Sequence, residues 1–239
     1  MKIVLTGHEG FIGSVLYQKL INLNYTVIGL DVKSGNDILH CDLPDCDVVI
    51  HLAAKTGVRE SLENPKDYWD TNVHGTSRIL KHYKNTRILV ASSSSQYEPY
   101  LNPYAATKHI IEKIPHSDIC FMRFHTVYSE TPRTGMFFDK LLTNSLEYVT
   151  DHERDFIHID DLCDAILLIL DKKILGSIDI GTGISTKIID ICPTLPVVMN
   201  TPFERKTTFA DIKKLKSLGF KPKKSISNFL NNLPSNIRR

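Results

Sequence analysis

Tyr104 and Lys108 stand four residues apart in the segment Pro103-Tyr104-Ala105-Ala106-Thr107-Lys108. On a helix that spacing puts both side chains on one face. An ammonium beside a phenol stabilises the phenolate and draws its pKa from about 10 toward neutrality. Tyr104 is thereby a candidate general base near pH 7, with Lys108 as its partner. The same spacing describes many surface helices, so the pair gains its weight from what surrounds it. The serine run 92–95 closes an apolar strand-like stretch. That is the carboxyl edge of a sheet, where ligands bind in open α/β folds.

A second constellation lies at the start of the chain, in Thr6-Gly7-His8-Glu9-Gly10-Phe11-Ile12-Gly13. Gly7 permits a tight turn, Gly10 lets backbone approach a pyrophosphate, and Gly13 lets helix and strand pack closely. Phe11, Ile12 and Gly13 open the following helix, whose N–H groups and dipole favour an anion. Asp31 ends the next strand 18 residues past Gly13. A carboxylate there accepts hydrogen bonds from an adenosine ribose and repels a 2′-phosphate. NAD is therefore expected as the cofactor rather than NADP. Lys33 works against that preference, with Asp31 dominant.

The elements that must position these groups follow from the patterning. Strands are expected at 2–6, 25–31, 47–53, 87–92 and 119–124, with helices at 11–23, 65–83 and 103–114. Asn64-Pro65 opens the second helix as cap and N1 proline. Alternation of apolar strands with helices implies a parallel sheet covered on both faces, a Rossmann-type doubly wound α/β fold. Beyond Tyr128 the pattern loosens. Helices are expected at 136–146, 159–170 and 210–218, and a strand at 177–180. Gly219 and Pro222 stop the last helix. The expected division is a NAD-binding domain over 1–125, to which elements around 155–180 return. A small, reduced and interleaved substrate-binding lobe spans 126–239.

Composition narrows the partners. The chain has 239 residues, 42% of them hydrophobic, and a formal net charge of +2. Near-neutral charge argues against nucleic acid as a partner. The apolar runs fall far below the ~20 residues of a membrane span. The five cysteines form no Cys-x-x-Cys and suggest neither a metal site nor a disulfide framework. A reduced, cytoplasmic, metal-free protein is expected. Residues 203–239 carry ten Lys and Arg against two Asp and Glu. That is either a solvated surface or an attraction for a small anion.

Taken together, the motifs resemble the extended short-chain dehydrogenase/reductases of the nucleotide-sugar epimerase/dehydratase family. They run in family order through most of the chain: TGHEGFIG at 6–13, Asp42-Leu43, HLAA at 51–54, NVHGT at 72–76, ASSSSQY at 91–97, YAATK at 104–108, MRFHTVY at 122–128 and RDFIHIDD at 154–161. The resemblance implies Tyr104 as base and Lys108 as its partner, which also binds the nicotinamide ribose. Ser93 falls at the catalytic Ser/Thr. Asp42 and Leu43 would flank the adenine, Leu52, Ala53 and Ala54 would line the cofactor cleft, and Asn72 would support the architecture. On the substrate side it implies Ser94, Thr126 and Arg154, the last on a diphosphate, with Arg205 as a second diphosphate-binding arginine. Arg59 and Arg133 read equally well as sugar-side contacts and as surface residues. His51, His158 and Trp69 read as structural.

Several reactions share such a scaffold, and all begin with oxidation at a sugar hydroxyl. Dehydratases of the family place Asp-Glu directly after the catalytic Ser/Thr. Here Ser94 and Ser95 follow Ser93, and neither does carboxylate chemistry. ASSSSQY, Thr56-Gly57-Val58-Arg59 and RFHTVY are similar to 4-epimerases of UDP-glucuronate. The expected function is NAD-dependent 4-epimerisation of a UDP-sugar, of the UDP-glucuronate or UDP-glucose type. The alternatives are a dehydratase or reductase, or a non-catalytic NAD-binding module. A nucleotide-diphosphate sugar and a second copy, packed through the helices of 65–83 and 104–114, are the implied partners. The chain departs from the family at Glu98, at Ser129-Glu130, and in its shortened spacing from Tyr97 to Tyr104 and from Lys108 to Arg123. It is also short for a family whose members commonly exceed roughly 300 residues.

Overall fold

The structure, a computed structural model, describes residues 1–199 and 201–234. The last five residues of the basic segment 203–239 lie outside that range. In chain order the elements are β1 (Lys2–Thr6), α1 (Phe11–Asn22), β2 (Thr26–Leu30), β3 (Val48–His51), α2 (Val58–Glu63), α3 (Pro65–Trp69), α4 (Thr76–His82), β4 (Arg87–Ser93), α5 (Pro103–Ile111) and β5 (Ile119–Phe124). There follow β6 (Thr126–Tyr128), α6 (Phe137–Leu142), β7 (Val149–Thr150), β8 (Glu153–His158), α7 (Ile159–Asp171), β9 (Gly176–Ile180), β10 (Ser185–Lys187), α8 (Ile188–Ile191), β11 (Val197–Val198), α9 (Lys213–Ser217) and α10 (Ile226–Asn231).

Two compact units divide the chain. The first comprises Met1–Arg123 and Ile169–Ile178. Its six-stranded sheet has the order β2-β1-β3-β4-β5-β9, with parallel pairing of β1 to β2 and β3, and of β3 to β4. Every residue of β3 and β4 is buried, as strands covered on both faces require. The chain leaves β1 toward β2 at one edge and returns on the other side of β1 to β3. The order therefore reverses between β1 and β3, the place where such sheets open a ligand crevice. The expected α/β architecture is thus present, with Val4, Val49, Ile79, Ile88 and Val90 in its core.

Residues 169–178 return to the first unit, a narrower segment than the expected 155–180. The buried Arg87 guanidinium holds them, with Nη2 donating to the carbonyls of Ile174 at 2.9 Å and Ile169 at 3.4 Å. By contrast β8 pairs with β6 and β10, and so residues 155–168 stay in the second unit.

The helix expected over 65–83 is interrupted. Between α3 and α4, residues Asp70–Gly75 form a π-helical turn. Asn72 lies in that turn with its side chain fully buried, and Gly75 gives room to Ile38, whose Cδ1 would lie 2.6 Å from an added Cβ. Such wide turns inside α-helices are frequent at functional sites.

The second unit comprises Phe124–Leu168 and the chain from Asp179 onward. It holds the sheet β10-β8-β6 and the pair β11-β7. An aromatic cluster of Tyr128, Phe138, Phe156 and Phe229 forms its core. The helix expected at 210–218 begins later, at Lys213. The Ala210 and Asp211 N–H groups are taken by Asp155 and Asp179, and the Asp211 carboxylate accepts from Lys213 N–H at 3.1 Å. Gly219 ends it at φ +95°. Among the described residues no helix is long and apolar enough to cross a membrane.

Candidate active site

The turn after β1 is built from absences of side chain. Gly7 has φ +72°, and a Cβ there would lie 2.7 Å from the Ala53 backbone nitrogen. A Cβ on Gly13 would lie 1.9 Å from the Gly7 carbonyl oxygen, so only glycine admits this helix-to-strand approach. Gly10 would meet only the Gly7 carbonyl oxygen within 4 Å, which leaves its outer side open. Gly10 caps α1 with no side-chain bond, and Phe11, Ile12 and Gly13 fill the first turn. The first N–H groups of a helix have no intrahelical acceptor. Leu52, Ala53 and Ala54 follow β3 beside Gly7, all half-buried.

Asp31 is buried at the end of β2, and its carboxylate binds both walls of the turn. Oδ2 accepts from Glu9 N–H and Oδ1 from Lys33 N–H, each at 3.0 Å. A carboxylate has about four lone-pair sites, so two remain for a ligand. Lys33 folds back, with Nζ donating to the Glu9 carbonyl at 2.8 Å. Asp42 is exposed, while Leu43 packs against the core.

Below the turn, Ala53 N–H donates to Thr6 Oγ1 at 3.1 Å. The same hydroxyl lies 2.7 Å from His51 Nδ1, and His51 Nε2 lies 3.0 Å from Thr76 Oγ1. Complete burial, then the nearby Lys108 cation, push the His51 pKa down to about 3. His51 is a neutral link between β1, β3 and α4.

Helix α5 carries the Tyr-x-x-x-Lys pair. Asn102 starts it by accepting from Ala105 N–H at 2.8 Å, with Pro103 in the first turn. Lys108 Nζ is buried, donates to the Ala91 carbonyl at 2.8 Å, and lies 5.9 Å from the centre of the half-buried Tyr104 ring. Burial draws the Lys108 pKa down to about 8, against an opposing pull from Glu112. Tyr68 meets the Tyr104 ring edge-on at 6.3 Å. Ser93 closes β4 with its Oγ accepting from Ser95 N–H at 3.1 Å, and Ser94 beside it is also buried. Lys108 thus ties the pair's helix to the strand that ends in Ser93. A buried cation near a tyrosine and a serine at a sheet edge is equipped for proton abstraction from a hydroxyl.

Two supports underlie the pair: Asn72, which the resemblance implied, and Glu112, which lay outside the sequence reading. Asn72 Oδ1 accepts from Lys55 N–H at 2.8 Å, and Nδ2 donates to the Lys55 carbonyl at 3.0 Å and to Thr107 Oγ1 at 3.1 Å. It clamps the segment after β3 to the helix of Tyr104. Glu112 is buried one turn beyond Lys108 and takes Arg123 in a fork, Nε at 3.0 Å and Nη2 at 2.6 Å, together with the hydroxyls of Ser92 and Ser177. Arg123 also donates to Tyr97 Oη at 2.8 Å. The i,i+4 step from Lys108 to Glu112 was the visible signal for this junction.

The remaining candidates divide between the units. Arg59 is exposed on α2 of the first unit, and Trp69, expected as helix packing, is 41% exposed at the end of α3. Thr126, Arg133, Arg154 and Arg205 belong to the second unit. Thr126 begins β6 opposite Phe156, and Arg133 is exposed. Arg154, on β8, is largely buried: Nη1 donates to the carbonyls of Glu153, Arg205 and Lys206, and Nη2 to Glu204. His158 accepts from Asp160 N–H at Nδ1, so its Nε2 proton faces Glu130 Oε2 at 2.9 Å. The unusual Glu130 is therefore the partner of a structural histidine.

A family model described as NAD dependent epimerase/dehydratase family matches residues 3–181. A Methanocaldococcus jannaschii relative with the provisional name UDP-glucose 4-epimerase is 31% identical over 304 aligned positions, covering 99% of each chain. The alignment is longer than this chain, so the residues it lacks against that relative are internal deletions. UDP-glucuronate 4-epimerase of Thermodesulfobacterium geofontis is 31% identical over 211 residues, 71% of this chain and 65% of the other. Among solved structures, the UDP-glucuronic acid 4-epimerase of Bacillus cereus in complex with UDP-glucuronic acid and NAD superposes with a TM-score of 0.84, at 32% identity over 97% of both chains.

Proposed function

The chain belongs to the NAD-dependent epimerase/dehydratase family, and from that premise we propose that it is a 4-epimerase of a UDP-sugar of the glucuronate or glucose type. NAD is the cofactor of the family, and the turn at Gly7–Gly13 fits it. The turn is a cradle that added Cβ atoms would fill, at a helix N-terminus, with Asp31 retaining acceptor sites for a ribose. The observation that carries the substrate class is the likeness to the Bacillus cereus enzyme over nearly the whole of both chains. Ser94 and Ser95 support epimerisation over dehydration, since neither serves as the acid or base of an elimination.

In this reading Tyr104 takes the proton from the sugar 4-hydroxyl while Ser93 hydrogen-bonds the same oxygen. Lys108 stays cationic below about pH 8 and favours the phenolate form of Tyr104. NAD supplies the hydride acceptor, and afterwards the donor, when bound. The 4-keto sugar then receives its proton back from Tyr104 on reduction at the opposite face. Thr126 and Ser94 are read as sugar contacts, and Arg154 and Arg205 as the diphosphate site. Asp42 and Leu43 are read beside the adenine, and Leu52, Ala53 and Ala54 along the cofactor cleft. Arg59 and Arg133 are assigned to an anionic sugar.

The reading extends to a cytoplasmic homodimer, supported by five cysteines outside any disulfide and by Leu62, Trp69 and Ile110 exposed on α2, α3 and α5. The test is incubation with UDP-glucuronate, UDP-glucose and UDP-N-acetylglucosamine, read by chromatography. Interconversion of two UDP-sugars without net NADH is expected. A 4-keto-6-deoxy product, or NADH in step with an oxidised sugar, overturns the epimerase assignment.

A further inference from the structure

The Arg154 guanidinium is held in two chemically different ways. Its Nη1 donates to the carbonyls of Glu153 at 2.9 Å, Arg205 at 2.8 Å and Lys206 at 3.3 Å. Those bonds fix its plane but carry no net charge. Its Nη2 donates to Glu204 Oε2 at 3.2 Å, and that contact supplies the charge. Arginine does not shed its proton in proteins, and burying it unpaired is costly. The Arg154 side chain is 13% exposed and that of Glu204 24%, so the carboxylate has the freer path to solvent. His152 Nδ1 lies 3.9 Å from the same carboxylate oxygen, beyond hydrogen-bond reach, and bonds Thr150 instead.

Arg205 stands close enough for its charge to act on Arg154, alongside the stronger effect of burial. Glu204 is the carboxylate bonded to the Arg154 guanidinium, and a second cation stands near that pair. A diphosphate diester brings two negative charges. With Glu204 turned away, the Arg154 charge is open to it; with Glu204 in place, a carboxylate repels it.

We propose that Glu204 is a surrogate anion on Arg154. It neutralises the arginine in the free protein, and the substrate diphosphate displaces it on binding. The inference rests on the reading of Arg154 as a diphosphate contact. Binding at this site is then an exchange of anions, which discriminates for ligands whose charge and donor demand exceed those of a single carboxylate.

The experiment is calorimetric titration of the full chain with UDP and, separately, with uridine. The proteins compared are the wild type, Glu204→Gln and Arg154→Gln. Glutamine is isosteric with glutamate and leaves the three carbonyl contacts of Arg154 untouched. Glu204→Gln is expected to bind UDP about three- to tenfold tighter at low salt, with the gap closing as salt rises. Uridine affinity is expected to stay level, which also reports that the variant is folded. Arg154→Gln is expected to weaken UDP more than about tenfold, as loss of a charge-assisted contact does. If Arg154→Gln weakens UDP but Glu204→Gln does not tighten it, the exchange is overturned and the diphosphate reading stands. If Arg154→Gln leaves UDP affinity unchanged, the reading fails and the exchange with it. A Glu204→Gln gain that is equal for uridine also overturns the exchange, because uridine carries no phosphate.

Discussion

Each unit buries one cation at its candidate site, and the two solve the same problem differently. Lys108 in the first unit has one carbonyl acceptor at 2.8 Å and a carboxylate one helical turn away. Its burial is answered by a weakened hold on its proton, drawn down to about 8. Arg154 in the second unit cannot take that route, and it is surrounded by three carbonyls and a directly bonded carboxylate. A titratable cation suits a site that moves protons. A permanent one suits a site that holds an anion. Under the proposed function, the choice of lysine in one place and arginine in the other separates chemistry from anchoring within one chain.

The sharpest way to break that division is to remove each side of the chemistry. Tyr104→Phe deletes the proton-accepting oxygen, and Lys108→Met deletes the charge. Either is expected to lower kcat by about 10²–10⁴, the usual contribution of a general base, with little change in UDP affinity. Stopped turnover should be read alongside calorimetry with UDP. A variant that keeps kcat and loses only affinity would place Lys108 with Arg154 as an anchor and end the distinction.

The pH profile sharpens the same point. Lys108 loses its proton as pH rises through about 8, and turnover should fall with it, while UDP affinity at Arg154 should not. The stability consequence has the opposite sign. Because the folded pKa lies below the ordinary 10.5, the unfolded chain binds the proton more tightly across that window. Stability from this group therefore rises between about pH 8 and pH 10.5 while activity declines. Initial rates and urea midpoints across that interval check both halves. Parallel decline of the two would mean that unfolding, not Lys108, limits activity.

Glu112 connects the chemical half to its scaffold. Glu112→Gln keeps the shape and removes the charge that opposes the fall of the Lys108 pKa. The high-pH limb of turnover should then move to lower pH. The groups facing Lys108 are Tyr104 on its own helix, Glu112 at the cap of that helix, and His51 on β3; His51 is neutral and cannot compensate. The bonds from Arg123, Ser92 and Ser177 are weakened as well, at a cost of about 1–3 kcal/mol in stability. A destabilised variant with an unmoved limb would make Glu112 purely structural.

The two halves also differed in how far the sequence reached them. Gly7, Gly10 and Gly13 fall within one turn, and Tyr104 and Lys108 within one turn of helix, so local periodicity exposes them. Long parallel strands such as β4 declare themselves the same way. The π turn at Asp70–Gly75 did not, because Asn72 must reach Lys55 and Thr107, 17 and 35 positions away. In the second unit the strands β6 and β7 have three and two residues, too few to display a period. Arg154 was legible as a motif residue, but its partners Glu204 and Arg205 lie 50 and 51 positions on. Pairing over such distances is set by tertiary packing, which no local pattern records.

Glu130 gives the mildest test, and it lies on the anchoring side. Its departure from the family pattern was visible, whereas its pairing with His158, 28 positions away, was not. The bond from His158 holds the Glu130 carboxyl below the ordinary carboxylate range, against a desolvation that acts the other way, and Lys224 at 3.8 Å adds to the hold. A depressed carboxylate stabilises the fold above its unfolded pKa and loses that contribution as pH falls through the folded value. Glu130 is 66% exposed, so solvent and salt screen the pair. Glu130→Gln should therefore cost only about 0.5–1 kcal/mol near neutral pH, shrinking toward zero in acid and at high salt. Denaturant midpoints at neutral and acid pH measure it. A loss well beyond that range would show that His158, itself 2% exposed, depends on Glu130 as Arg154 depends on its carboxylate. The second unit would then rest on two ion pairs of equal importance, and the contrast with Lys108 would widen.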